Sequence, residues 1–374
     1  MARNIGVDLH WDCFTVAVLG ENGRCDTREW KFEDLDEFIA ELRGDDRVAV
    51  EMTTNVRLFH DAVQPHVARV DVVNTRQFRV VTDSVKKTDK NDAILLARFL
   101  EKDMLPTVCL KPKALAQLAS LTKMRDTLVK QRTALKNEVN NFFAASGMKL
   151  GRERLSSNKA LSEAEVGAAE AMAEADAFGV KILLEQIRAI NAGLAKLERR
   201  IEEEARQRPG YAELTSIKGV GVIGAAILLS VIGDVRRFPS EGKLASYLGI
   251  VPRVSDTNES ERRGRITKRG SKLARTALVQ CALIAKKYSP YLSEYHERLK
   301  RKKGGGKANV ALARKLLGIV YRTLLNGWVF EDFPAYRLKD GTIPAWSREV
   351  ATSFVASRRD LSPSAKIGKR KRAT

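Results

Sequence analysis

The spacing of apolar residues changes character twice along this chain. Asn4–Leu9 and Phe14–Leu19 are short β-rich runs joined by a turn around Trp11–Asp12. Arg24–Lys31 adds a third strand after the turn signal Glu21-Asn22-Gly23. Val48-Ala49-Val50 and Val70–Val73 read as buried strands, whereas Phe32–Leu42 and Asp92–Leu100 have helical spacing. Hairpin strands first, then strand–helix alternation, predict a mixed sheet with helices packed on it. We assign this α/β domain to residues 1–105.

From there the period becomes that of a helix. Leu115, Leu118, Leu121, Leu128, Leu135, Val139 and Phe142 form one apolar stripe. Val180, Leu184, Ile187, Ile190, Leu194, Leu197 and Ile201 form another, with steps of three or four. The Ala/Glu-rich stretch 160–177 between them is expected to be partly flexible. Residues 106–209 are thus expected to form an antiparallel, coiled-coil-like helical arm, either a dimerisation device or a plain helical core. Residues 210–335 make a third, mainly helical region rich in Gly, Lys and Arg, and 336–374 a basic tail ending Lys369-Arg370-Lys371-Arg372.

Charge narrows the function. Among 374 residues, 66 Lys and Arg outnumber 46 Asp and Glu, a surplus of +20 that attracts polyanions. Nucleic acid is the expected partner. No apolar run reaches the about 18–20 residues that span a bilayer, and no secretory signal opens the sequence, so a cytoplasmic, nucleoid-associated protein is expected. The four cysteines (Cys13, Cys25, Cys109, Cys281) and four histidines (His10, His60, His66, His296) show no zinc-ligand spacing.

The candidate chemistry lies in carboxylates. Asp8 ends the run Ile5-Gly6-Val7, and Glu51 ends Val48-Ala49-Val50, which puts both at strand ends. Asp89 and Asp92 are three apart, hence on one face of a helix. Four such acids suit Mg²⁺, a hard cation that prefers oxygen ligands, and a pair of ions assists phosphoryl displacement. Each acid also has a plainer account: Asp89 as a helix cap, Asp92 as a first-turn acid, Asp8 as the partner of a lysine. In the carboxy-terminal region, Gly219-Val220-Gly221-Val222-Ile223-Gly224 follows a helical lead-in rather than a strand, which excludes a dinucleotide fingerprint. A helix, a glycine turn and a second helix suit close approach to a DNA phosphate at Gly219 and Gly221, or simply tight packing.

The order Gly6-Val7-Asp8, Val50-Glu51 and Lys87-Thr88-Asp89-Lys90-Asn91-Asp92-Ala93 resembles the DEDD-type insertion-sequence transposases and their relatives, the site-specific DNA invertases. So do Gly249-Ile250-Val251-Pro252 and Gly264-Arg265-Ile266-Thr267-Lys268-Arg269-Gly270 further on. The resemblance implies a ribonuclease H-like, resolvase-like α/β domain, a helical arm and a mainly α-helical second catalytic domain. It implies Asp8, Glu51, Asp89 and Asp92 as the metal-binding tetrad. In the family a serine, usually followed by glycine, stands five positions after the proline and bonds covalently to DNA. Here that position is Thr257, followed by Asn258, with Ser255 and Ser260 as competitors; all three hydroxyls also suit plain turn or phosphate hydrogen bonds. Arg262, Arg263, Arg265, Lys268, Arg269, Lys272 and Arg275 offer phosphate contacts. The resemblance further implies a structured noncoding guide RNA, and we expect a homo-oligomer. Two rivals stay open: a resolvase-like nuclease using metal-activated water alone, and a non-catalytic nucleic-acid-binding remnant.

Overall fold

The computed structural model describes residues 2–74, 77–78, 88–150, 155–257 and 260–336, and at 254–257 and 260–263 only the backbone. The basic tail lies outside the described residues. The chain forms two compact units, Met1–Lys111 and Pro112–Thr374.

The first unit is built on a five-stranded sheet. Strands β1 (Asn4–Leu9), β2 (Cys13–Leu19) and β3 (Cys25–Lys31) form an antiparallel meander. β4 (Arg47–Glu51) and β5 (Arg69–Val73) then add parallel strands on the other side of β1, giving the order β3-β2-β1-β4-β5. Side chains of successive strand residues point to opposite faces, and the two faces carry different cores. On one, Ile5, Val7, Val48 and Val50 pack with Phe14, Trp30, Phe38 and Phe59 beneath helices α1 (Leu35–Ala40) and α2 (Val56–Val63). On the other, Ala49 and Val73 pack with Leu96 and Leu100 of α3 (Asp89–Glu101).

Gly6 decides how closely α3 can lie. A methyl group at this position would stand 2.0 Å from the Ala93 carbonyl oxygen and 2.5 Å from the Ala97 nitrogen. The helix backbone therefore rests directly on β1, with two buried alanines as its contact surface. Gly6→Ala is expected to push α3 off the sheet and cost about 1–3 kcal/mol, the usual range for overpacking. Hydrogen exchange of the α3 amides measures this: protection should fall in α3 and persist in β2.

The second unit is mainly helical. α4 (Lys113–Ala145) and α6 (Glu174–Arg206) each run for 33 residues, about 50 Å at 1.5 Å per residue. Arg125 reaches Glu198 and Arg132 reaches Asn191, so the pair is antiparallel. The expected flexible stretch instead contains α5 (Asn158–Ala171), capped by Ser157 and packed through Leu161, Ala164 and Ala168. Its small buried residues give a weak hydrophobic signal, although they share one helical face. Beyond α6 come α7 (Tyr211–Ser216), α8 (Val222–Ile232) and α9 (Glu241–Tyr247). A two-stranded antiparallel ribbon follows, β6 (Pro252–Thr257) and β7 (Ser260–Ile266), which the apolar pattern does not announce. Helices α10 (Lys272–Ala285), α11 (Pro290–Lys303) and α12 (Gly305–Asn326) complete the unit around a core centred on α8. No helix among the described residues is long and apolar enough to cross a membrane.

Candidate active site

The parallel pairing of β1 with β4 aligns Val7 with Val50. Asp8 and Glu51 are the next residues along each strand, so they stand side by side at the carboxyl edge of the sheet. Both share the face of Gly6 and Ala49, the face that α3 covers. Helix α3 begins at this edge: the Thr88 hydroxyl accepts a hydrogen bond from the Asn91 amide at 3.3 Å. Thr88 is therefore the cap, and Asp89 and Asp92 lie in the first helical turn, where the helix dipole favours negative charge. Strand register and the seat at Gly6 together bring the four acids to one region.

Their environments differ. Asp8 is 5% exposed and Asp92 4%, whereas Asp89 is exposed and Glu51 half-buried. Burial pushes the Asp8 carboxyl above its usual range; His10 opposes the shift, and the charges of Asp89 and Asp92 add to it. The His10 Nε2 lies 3.4 Å from Asp8 Oδ2 and 3.3 Å from Asp89 Oδ2. Ligand atoms of Asp8, His10 and Asp89 all fall within 4.8 Å of one another, a spacing that suits a cation. Glu51 and Asp92 flank this cluster without entering it. His10 escaped the sequence argument because it sits in the turn after the strand; its nearness to Asp8 and Asp89 follows from that turn and from the seating of α3.

The glycine turn between α7 and α8 serves packing at one position and openness at the other. Gly219 has φ +106°, and a methyl group there would lie 2.5 Å from the Ala285 nitrogen of α10. Gly221 caps α8 and has open space beside it. Lys218 and Gly221 border an open cavity of about 590 Å³ that also touches Ile284 and Tyr288.

In the ribbon, Thr257 pairs with Ser260 and Ser255 with Arg262. The side chains of Ser255, Thr257, Ser260, Arg262 and Arg263 lie outside the described residues. What holds the base of the ribbon is well defined. Gly249 (φ +67°) and Gly270 (φ +88°) interlock: a methyl group on the first would meet the Arg269 carbonyl oxygen at 1.8 Å, and on the second the Tyr247 carbonyl oxygen at 2.1 Å. The amides of Thr267 and Lys268 donate to the carbonyls of Val251 and Gly249 at 2.9 and 3.1 Å. Arg275 reaches across this clasp and donates to the carbonyls of Leu248, Gly270 and Arg269 at 2.9, 3.1 and 3.2 Å. Its partial burial lowers its pKa from the usual value. Arg275 therefore braces the ribbon from inside, while Arg265, Lys268, Arg269 and Lys272 are exposed and open to phosphate.

Arg275→Ala should cost about 1.5–3 kcal/mol, the range for hydrogen bonds to a charged group. Faster hydrogen exchange at the Thr267 and Lys268 amides, partly restored by Arg275→Lys, is the measurement that checks it.

Comparison with known proteins covers both regions. A family model described as "Transposase", of the DEDD group, matches residues 5–145, and one described as "Transposase IS116/IS110/IS902 family" matches residues 211–297. The "Transposase for insertion sequence element IS1111A" of Coxiella burnetii is 26% identical over 242 residues, 64% of this chain and 66% of the relative. The "Transposase for insertion sequence element IS1328" of Yersinia enterocolitica is 27% identical over 254 residues, 65% of this chain and 74% of the relative. The "Pilin gene-inverting protein" of Moraxella lacunata is 27% identical over 290 residues, 74% and 78% of the two chains. The chain spans less than two thirds of the length of several curated relatives, the Coxiella protein among them. The two family models together match more than half of the chain, in the order in which its acidic edge and its ribbon occur. The chain belongs to the family of DEDD-type insertion-sequence transposases.

Proposed function

We propose that this protein is a transposase that cleaves and rejoins DNA strands for an insertion sequence, using Mg²⁺ at Asp8, Glu51, Asp89 and Asp92 and a hydroxyl on the β6–β7 ribbon. The observation that carries the proposal is the acidic edge, where two strand ends and a helix start bring Glu51, Asp89 and Asp92 to the region of a buried Asp8. Burial, with the charges of Asp89 and Asp92 adding to it, holds the Asp8 carboxyl above its usual range, a cost that a bound cation relieves. The donor set thus fits a divalent ion. When bound, such an ion polarises a phosphodiester and neutralises charge that develops in phosphoryl transfer.

The chain's own residues supply the rest. Asp8 and Glu51, on adjacent parallel strands, fix the site to the rigid centre of the sheet, and the start of α3 adds Asp89 and Asp92. We assign the nucleophile to Thr257, ahead of Ser255 and Ser260. Its oxygen would bond to phosphorus as one DNA oxygen leaves, and an incoming DNA hydroxyl would reverse the exchange. Lys268, Arg269, Arg265 and Lys272 would hold the DNA backbone near the ribbon. The five-stranded mixed sheet supports a ribonuclease H-like reading of the first unit. A structured guide RNA and a homo-oligomer complete the proposal, with the +20 charge in support of nucleic-acid partners.

The test is incubation of the full chain with DNA carrying the element's ends, with Mg²⁺ or with a chelator. Mg²⁺-dependent cleavage and joining are expected. Cleavage without joining would indicate the metal-activated-water nuclease. Binding without cleavage in either condition would indicate a nucleic-acid-binding protein.

A further inference from the structure

The turn after β1 places at the acidic edge a donor of a different kind from the four carboxylates. His10 Nε2 faces Asp8 Oδ2 at 3.4 Å and Asp89 Oδ2 at 3.3 Å, so a single ring nitrogen serves two carboxylates at once. Neighbouring ligand atoms on a six-coordinate ion with bonds of about 2.1 Å stand about 3 Å apart. The His10 nitrogen already stands nearly that far from each of the two carboxylate oxygens, and the three ligand atoms all lie within 4.8 Å of one another. We propose that His10 is a nitrogen ligand of the metal site and that it tilts the site's preference from Mg²⁺ toward first-row transition ions. The inference rests on the acidic edge being a metal site, and it adds what the carboxylates alone do not give: a basis for choosing between ions.

Three features support a ligand role over a simple ion pair. The main chain of His10 is held at both polar groups: its amide donates to the Cys13 carbonyl at 2.9 Å, and its carbonyl accepts from Asn55 Nδ2 at 2.7 Å. The ring therefore hangs from a fixed backbone. It is also 45% exposed, so water can reach the ring and complete the shell of an ion held together with Asp8 and Asp89. Finally, the partners it faces come from two elements, a strand end and a helix start, which is how a chelating site is assembled. Mg²⁺ is bound through oxygen and gains little from an imidazole. First-row transition ions accept nitrogen readily, with affinity rising along the series from Mn²⁺.

Mn²⁺ is the probe, because its electron spin senses a directly bonded nitrogen. The full-length protein would be titrated with Mn²⁺ and, separately, with Mg²⁺ by calorimetry, and the Mn²⁺-loaded protein examined by electron spin echo for coupling to ¹⁴N. The wild type should show imidazole nitrogen coupling. In His10→Ala and His10→Asn the coupling should vanish, Mn²⁺ binding should weaken about tenfold, and Mg²⁺ binding should change by less than about twofold. Absence of nitrogen coupling in the wild type would overturn the proposal without needing any variant. Equal weakening of both ions in the His10 variants would also overturn it. An Asp8→Asn control separates the two layers: unchanged binding of both ions there would remove the metal site itself, and with it the role of His10. Loss of binding in Asp8→Asn alongside unchanged binding in the His10 variants would remove only the inference made here.

Discussion

Asp8→Asn is expected to stop Mg²⁺-dependent DNA cleavage and, at the same time, to make the protein more stable near neutral pH. The first effect follows from losing a carboxylate at the centre of the acidic edge. Charge stabilisation by a catalytic metal is worth several kcal/mol, so cleavage should fall by at least about a hundredfold. The second follows from burial, which raises the folded-state pKa of Asp8 above its unfolded value. Between those two values the folded protein holds the extra proton. As pH rises through the folded pKa, the buried group must ionise and stability falls. At neutral pH Asp8 is thus a cost to the fold that asparagine, neutral and similar in shape, does not carry. Below the unfolded pKa both side chains are uncharged, and the difference should close. Thermal melting of the two proteins from below the unfolded carboxylate pKa, about pH 3, up to about pH 7 checks the sign. Added Mg²⁺ should raise the melting temperature of the wild type by mass action and leave the variant nearly unmoved. Equal or lower stability of Asp8→Asn at neutral pH would contradict the electrostatic account of this site.

Thr257→Ala should abolish joining, with a loss of about a thousandfold or more, as expected when a covalent nucleophile is removed. Thr257→Ser should retain joining or improve it, because the β-methyl that restricts the threonine rotamer and crowds the oxygen is gone. Strand-joining assays on the three proteins give the comparison. Full joining by Thr257→Ala would move the role to Ser255 or Ser260. The fold should not be at risk in either variant, since Gly249, Gly270 and Arg275 hold the base of the ribbon.

The acidic edge was legible in the sequence to the extent that it depends on local pattern. Strand β1 spans the residues its apolar run predicts, Asn4–Leu9, and β4 includes Val48–Val50 with Glu51 at its end. The parallel register that aligns them, and the direct seating of α3 on Gly6, are long-range consequences of packing. No spacing rule could have supplied the proximity of Asp89 to His10. The ribbon failed for a different reason. Residues 252–266 are dominated by charged and small polar side chains, with no apolar alternation to mark a buried face. Its strands are defined by backbone pairing and by the glycine clasp. Arg275 has a structural part that composition does not announce: its Nη1 donates to three carbonyls at the base of the ribbon. Gly219 behaves similarly, since the positive φ and the approach of Ala285 account for it without a ligand.

The central claim is that one DNA strand passes through a covalent bond to the ribbon under the control of the acidic edge. The most direct measurement traps the protein–DNA adduct during Mg²⁺-dependent reaction of the full chain and maps the attachment by mass spectrometry. The account expects an adduct at Thr257 in the wild type and none in Asp8→Asn. Active cleavage with no adduct at any stage, together with undiminished activity after the hydroxyls of Ser255, Thr257 and Ser260 are all removed, would contradict it.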